Sequence, residues 1–113
     1  MLFAVSFTPR ANTNEDREKR TLSLFSQWKP PAGYEFKAFY DYADGDGGIA
    51  IVEAATAEAL LEAHGPWAAT FEFRCRPIVD VEKSIAILQK GYAWRDSIKQ
   101  MAGADNQRVT RTK

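Results

Sequence analysis

Asp44-Gly45-Asp46-Gly47-Gly48 constrains the architecture of this chain more than any other segment. Aspartate and glycine supply the positive-φ conformations of a tight reversal, and strand-like runs flank the segment on both sides. A hairpin is therefore expected, with Tyr34 to Tyr42 and Ile49 to Ala54 as its two strands. In strict alternation Tyr34, Phe36, Ala38, Tyr40 and Tyr42 share one face of the first strand, and Glu35, Lys37, Phe39 and Asp41 share the other. The second strand is apolar on both faces apart from Glu53, as suits a central strand.

A similar reading extends to the flanks. Leu2 to Thr8 is strand-like and stops at Pro9, which cannot donate to a ladder. An Asn12 cap with Glu15 three positions later opens a helix to about Gln27, with Leu22, Phe25 and Trp28 on one face. Pro30-Pro31 and Gly33 then force a turn. Thr56 caps a second helix whose expected inward stripe is Ala57, Leu60, Leu61, His64 and Ala68, and Gly65-Pro66 breaks it ahead of either a short turn carrying Trp67 or a loop. Phe71, Phe73 and Cys75 alternate with Glu72, Arg74 and Arg76 in a strand ended by Pro77. Asp80 caps a last helix with two neighbouring apolar stripes, one through Val81, Ile85, Leu88 and Tyr92, the other through Ile87, Gly91, Trp94 and Ile98.

Strand, helix, strand, strand, helix, strand is the split βαβ order. The expected class is thus α+β, a ferredoxin-like four-stranded antiparallel sheet with helices on one face and an extra C-terminal helix. A length of 113 residues suits one core, so residues 1–98 read as a single domain. Residues 99–113 read as a flexible basic tail, because Lys99, Arg108, Arg111 and Lys113 face only Asp105.

The helix-free face carries the next inference. Phe39 and the outward residues of the apolar strand are costly to leave wet, at about 25 cal/mol per Å² of apolar area. A second copy is the simplest cover, so a homodimer is expected, with Phe39, Trp94 and Ile98 at its interface.

Charge and composition narrow the partners. Basic and acidic residues number 15 each, so no large net charge points to nucleic acid. Aromatic residues on a sheet also serve RNA-binding modules of this topology, but Glu35, Asp41 and Glu72 dilute any positive field here. One cysteine and one histidine leave no multi-cysteine or HxxxH metal pattern, and Asp44 and Asp46 read as turn residues lacking the later ligands of an EF loop. No metal or cofactor is expected. Cys75 reads as a buried, inert thiol. No run reaches transmembrane length, and Met1 to Phe7 is too short for a signal-peptide core, so the expected setting is cytoplasmic and away from membranes.

Met1-Leu2-Phe3-Ala4-Val5, Phe39-Tyr40-Asp41, Gly48-Ile49-Ala50-Ile51-Val52-Glu53-Ala54, Ala59-Leu60, Trp67, Phe71-Glu72-Phe73 and Pro77-Ile78-Val79-Asp80 together resemble a family of short uncharacterised bacterial domains. That family looks like a member of the dimeric α/β-barrel group. The group's better-known relatives include cofactor-independent quinone-forming monooxygenases, muconolactone isomerases and heme-dependent chlorite-decomposing enzymes. The resemblance covers roughly residues 1–88 and implies the fold and the dimer. Where relatives often carry Trp-His at the end of the second strand, this chain has Tyr40-Asp41, so no histidine role transfers there.

The group's enzymes use a cavity between sheet and helices, for which Tyr40, Tyr42, Glu53, His64 and Trp67 are the candidates here. His64 is the natural acid or base of an enzyme, with an ordinary pKa near 6.5, and fits a satisfied core histidine equally well. Glu53 reads either as a pocket carboxylate or as a hydrogen-bond acceptor for a tyrosine or an arginine. Two functions stand. One is a non-catalytic dimeric domain binding a small apolar or aromatic molecule or a protein partner. The other is a cofactor-independent monooxygenase or isomerase acting on an aromatic or polyketide-like substrate, with His64 or Glu53 taking a proton and Tyr40 steadying an oxyanion.

Overall fold

The computed structural model describes residues 1–101, with side-chain surroundings through residue 98. The chain divides into two compact units, Met1–Ile78 and the segment from Val79 onward. The first holds β1 (Leu2–Pro9), α1 (Glu15–Gln27), β2 (Tyr34–Asp41), β3 (Gly48–Ala54), α2 (Ala57–His64), a single 3₁₀ turn (Gly65–Trp67) and β4 (Phe71–Pro77). The strands form one antiparallel sheet in the order β2-β3-β1-β4, so the fold is α+β and ferredoxin-like.

The Asp-Gly segment forms the expected hairpin. Tyr42 N–H donates to the Gly47 carbonyl at 2.8 Å, and the Asp44 carboxylate accepts from Asp46 N–H at 3.0 Å, so this side chain works in the turn. Gly47 sits at φ +95°, and any side chain there would overlap the Phe7 carbonyl. Gly48 leaves room for the Phe7 ring, which a Cβ would strike.

β2 departs from strict alternation. Phe36 pairs with Val52 while Ala38 pairs with Ile51, so Lys37 is an extra residue opposite no partner of its own. Such a bulge reverses the parity of everything after it. Tyr34 and Phe36 face the helices, and beyond the bulge it is Phe39 and Asp41 that face them, while Ala38 and Tyr40 turn away. The expected placement of Phe39 on the helix-free face is thereby corrected.

The core under α2 is small-grained. Val5, Tyr34, Ala50, Val52, Ala54 and Ala63 form it, and Phe3, Trp28, Phe36, Leu60 and Phe73 pack around them. Complete burial of Val5 and Val52 contributes about 1.5–3 kcal/mol each. Thr56 caps α2 by accepting from Ala59 N–H at 3.1 Å. The inward residues of α2 are Ala59 and Ala63, with Leu60 and His64 half-buried; Leu61, expected inside, is 73% exposed. Alanines at these positions let α2 approach β2 and β3 closely.

α1 is different. Asn14, two residues later than the expected cap, accepts from Arg17 N–H at 2.9 Å. The helix buries none of its residues and stands over the sheet on the rings of Phe25 and the adjoining Trp28.

The second unit holds α3 (Val81–Met101), with Glu82 in its first turn and Ser84 N–H donating to the Asp80 carbonyl at 2.9 Å. Its apolar residues Val81, Ile85, Ile87, Leu88, Tyr92 and Trp94 are exposed. α3 includes residues 99–101; the rest of the expected basic tail, 102–113, lies outside the described residues. No described helix is long and apolar enough to cross a membrane.

Candidate functional site

Alternation along the strands sends the largest side chains of the first unit to one side. From β1 comes Phe7, from β4 Phe71 and Phe73, and from β2, through its bulge, Phe36 and Phe39. α1 supplies Thr21, Leu22 and Phe25 from above, and Trp28 and Trp67 close the flank. These rings cannot interdigitate as alanines do, and they enclose an open cavity of about 320 Å³. That is the lower end of the range for small-molecule sites.

The rings hold one another in place. Phe36 and Phe39 stack at 4.6 Å with 2° between their planes, Phe25 stacks on Trp28 at 5.9 Å, and Phe7 and Phe25 meet Phe39, Phe7 meets Phe71 and Trp28 meets Phe36 edge to face at 5.4–6.3 Å. Such pairs contribute about 0.5–1.5 kcal/mol each beyond burial. Trp67 is 8% exposed, and its indole N–H has no partner among the described residues. A buried donor left so costs about 1–3 kcal/mol.

One end of the cavity is polar. Tyr34 and His64 both line it, and the Tyr34 hydroxyl lies 2.9 Å from His64 Nε2. His64 Nδ1 is 3.6 Å from Cys75 Sγ, and its ring stacks on Phe73 at 4.4 Å. Cys75 is exposed, contrary to the expected buried thiol, because it lies on the edge strand β4. Desolvation raises the Tyr34 hydroxyl to about 12, with the nearby Cys75 adding to it; burial also lowers His64 from 6.5 and raises Cys75. All three shifts favour neutral groups, so the Tyr34–His64–Cys75 chain is an uncharged hydrogen-bonded array at neutral pH. Both imidazole nitrogens are already engaged in it.

The candidate residues separate. His64 and Trp67 line the cavity. Tyr40 is 66% exposed on the opposite face, beside Ile49, and Tyr42 lies past the strand end in the hairpin turn. Glu53 alternates with the buried Val52 and Ala54, so it too faces away from the helices, and its carboxylate meets the Met1 amine. His64 is therefore joined to neither Glu53 nor Tyr40. Tyr34 and Cys75 take those places; the signal for Tyr34 was its position at the start of the strand, in phase with Phe36 before the bulge. Trp94 and Ile98 belong to the second unit.

Asp41 completes the lining. It is the last residue of β2, opposite Gly48 and exposed, and among the described residues it is the only side chain of the lining with a full charge, His64 being neutral. Among the described residues no lysine or arginine lines the cavity. Three or more histidine, cysteine, aspartate or glutamate side chains suited to a metal ion do not gather anywhere among the described residues.

No curated protein is similar enough to the chain to match it. A family model does match, over residues 1–92, which takes in the whole first unit and the first half of α3. The chain thus belongs to the family described as Domain of unknown function (DUF3303).

Proposed function

We propose that this protein is a small dimeric domain that binds a small apolar or aromatic molecule in the cavity between α1 and the sheet. The observation that carries the reading is the cavity itself: about 320 Å³ walled by aromatic rings, with a few polar groups at its ends. Rings so placed offer a flat ligand stacking and edge contacts without further ordering of side chains. The experiment is a thermal-shift screen with a library of small aromatic compounds, repeated on Ala50→Leu, which fills the cavity floor. Stabilisation by a subset of compounds, absent in Ala50→Leu, is the expected result; no stabilisation by any compound would overturn the reading.

Dimerisation belongs to the same proposal, as does membership of the dimeric α/β-barrel group and a cytoplasmic setting in a bacterium. Support for the dimer comes from the helix-free face. Leu2, Ala4, Ala38, Tyr40, Ile49 and Ile51 make an apolar centre there, with Glu35, Lys37, Arg74 and Arg76 around it. A second copy would bury that centre and set acidic against basic rim groups. Phe39 is dropped from this interface because it lines the cavity, while Trp94 and Ile98 on α3 are retained as proposed contacts. Light scattering tests the dimer, and a concentration-independent monomer would sink it.

The Tyr34–His64–Cys75 chain favours a second reading, a cofactor-independent enzyme in which His64 moves a proton and Tyr34 steadies the developing oxyanion. Glu53 has no part in it, being on the other face. Turnover of a bound compound by the parent and not by His64→Ala or Tyr34→Phe would establish it.

A further inference from the structure

We infer that the ligand of this cavity is an organic cation, an amine or quaternary ammonium group on an apolar or aromatic body. The inference rests on the binding role proposed above and specifies its chemistry. Two independent features set the sign of charge. The first is the wall of aromatic rings, any of which attracts a cation that comes over its negative face within about 6 Å of the ring centre. Phe7, Phe25, Trp28, Phe36, Phe39 and Trp67 place such rings on several sides. The second is Asp41, a carboxylate among the lining residues with no ion-pair partner among the described residues.

Among the described residues no positive group opposes them. Lys and Arg are absent from the described lining, and Lys37, the nearest cation in sequence, is the bulge residue, whose ammonium pairs with Glu35 at 3.1 Å. His64 stays neutral through burial, and its nitrogens are taken up by Tyr34 and Cys75. The unpartnered Trp67 N–H is a dipole and Asp41 a full charge, so the carboxylate decides the sign. The bulge is what brings this about, since strict alternation would leave Asp41 and Phe39 facing away from the helices. Asp41 is exposed at the end of β2, so a cationic group can reach it from solvent while its organic body rests among the rings.

Three probes of one shape separate the charge states: phenyltrimethylammonium, its neutral isostere tert-butylbenzene, and benzenesulfonate. Each is titrated at fixed ionic strength against the whole chain and against Asp41→Asn, with binding read by calorimetry. The cation should bind more tightly than the anion by about tenfold or more, as one well-placed charge interaction allows. Asp41→Asn should remove most of that preference and leave tert-butylbenzene unchanged. Benzenesulfonate binding as tightly as the cation to the unaltered chain would overturn the inference without any variant. So would a cation affinity that Asp41→Asn does not alter. Binding of tert-butylbenzene alone would overturn the cation and leave the proposed cavity role standing; binding of none of the three would remove both.

Discussion

The two faces of the sheet are built from the same four strands and have opposite grain. On the helix side Phe7, Phe36, Phe39, Phe71 and Phe73 leave a cavity, whereas Ala4, Ala38, Ile49 and Ile51, flanked by Leu2 and Tyr40, make up the centre of the other face. Large rings that prop a helix away from a sheet create space for a ligand. Small residues create a surface that another surface can lie against. The difference teaches that one extra residue, Lys37, distributes the two roles, because it moves Phe39 and Asp41 to the cavity and Ala38 and Tyr40 to the flat face.

Deleting Lys37 should have the largest effect. Restoring strict alternation forces either Tyr34 and Phe36 or Phe39 and Asp41 out of the helix side, at a cost of about 3 kcal/mol or more in urea unfolding. A deletion variant of unchanged stability would break the comparison outright. Next in size, Phe36→Ala should destabilise by about 2–4 kcal/mol, since its ring meets Trp28, Tyr34 and Phe39. Tyr40→Ala should cost under about 0.5 kcal/mol in dilute solution. Should the flat face hold a second copy, the same Tyr40 variant will shift the concentration dependence of the apparent mass, which separates the two faces more sharply.

Much of the fold was legible because its signals are local. The Asp-Gly turn, Thr56, the Gly65-Pro66 break and the alternation in Phe71 to Pro77 each depend on a few neighbouring residues, and the elements followed from them. The bulge was not legible, since no turn residue marks Lys37 and a charged residue within a strand fits ordinary alternation. The aromatic residues give no sign of it either, because Tyr34, Phe36, Tyr40 and Tyr42 keep a period of two across the bulge. The candidate residues divide accordingly: His64 and Trp67, placed by helix and turn position, lie at the cavity, Tyr40 and Glu53 lie on the other face, and the place of Cys75 beside His64 depends on the β1–β4 register, which no local signal sets.

Smaller effects concern pH. His64 has a folded-state pKa below its ordinary 6.5, so the unfolded chain takes up a proton first as pH falls. Stability attributable to neutral His64 is fully present above pH 6.5 and declines as pH drops below it; His64→Gln should flatten that limb of a melting-temperature profile. Tyr34 has the opposite sense. Its hydroxyl is pushed up to about 12 from 10.0, so stability present below pH 10 is lost as pH rises toward 12. Ultraviolet titration should show one late phenolate step near pH 12 that Tyr34→Phe removes.

The ligand-binding role of the helix side is tested most directly by tryptophan emission in a Trp94→Phe background. Trp28 and Trp67 are then the only indoles of the chain, and both line the cavity. Titration with phenyltrimethylammonium and, separately, with tert-butylbenzene should give a saturable change in emission at one ligand per chain, abolished by Ala50→Leu. An emission that stays flat with both compounds, or a change that persists undiminished in Ala50→Leu, would contradict a binding cavity between α1 and the sheet.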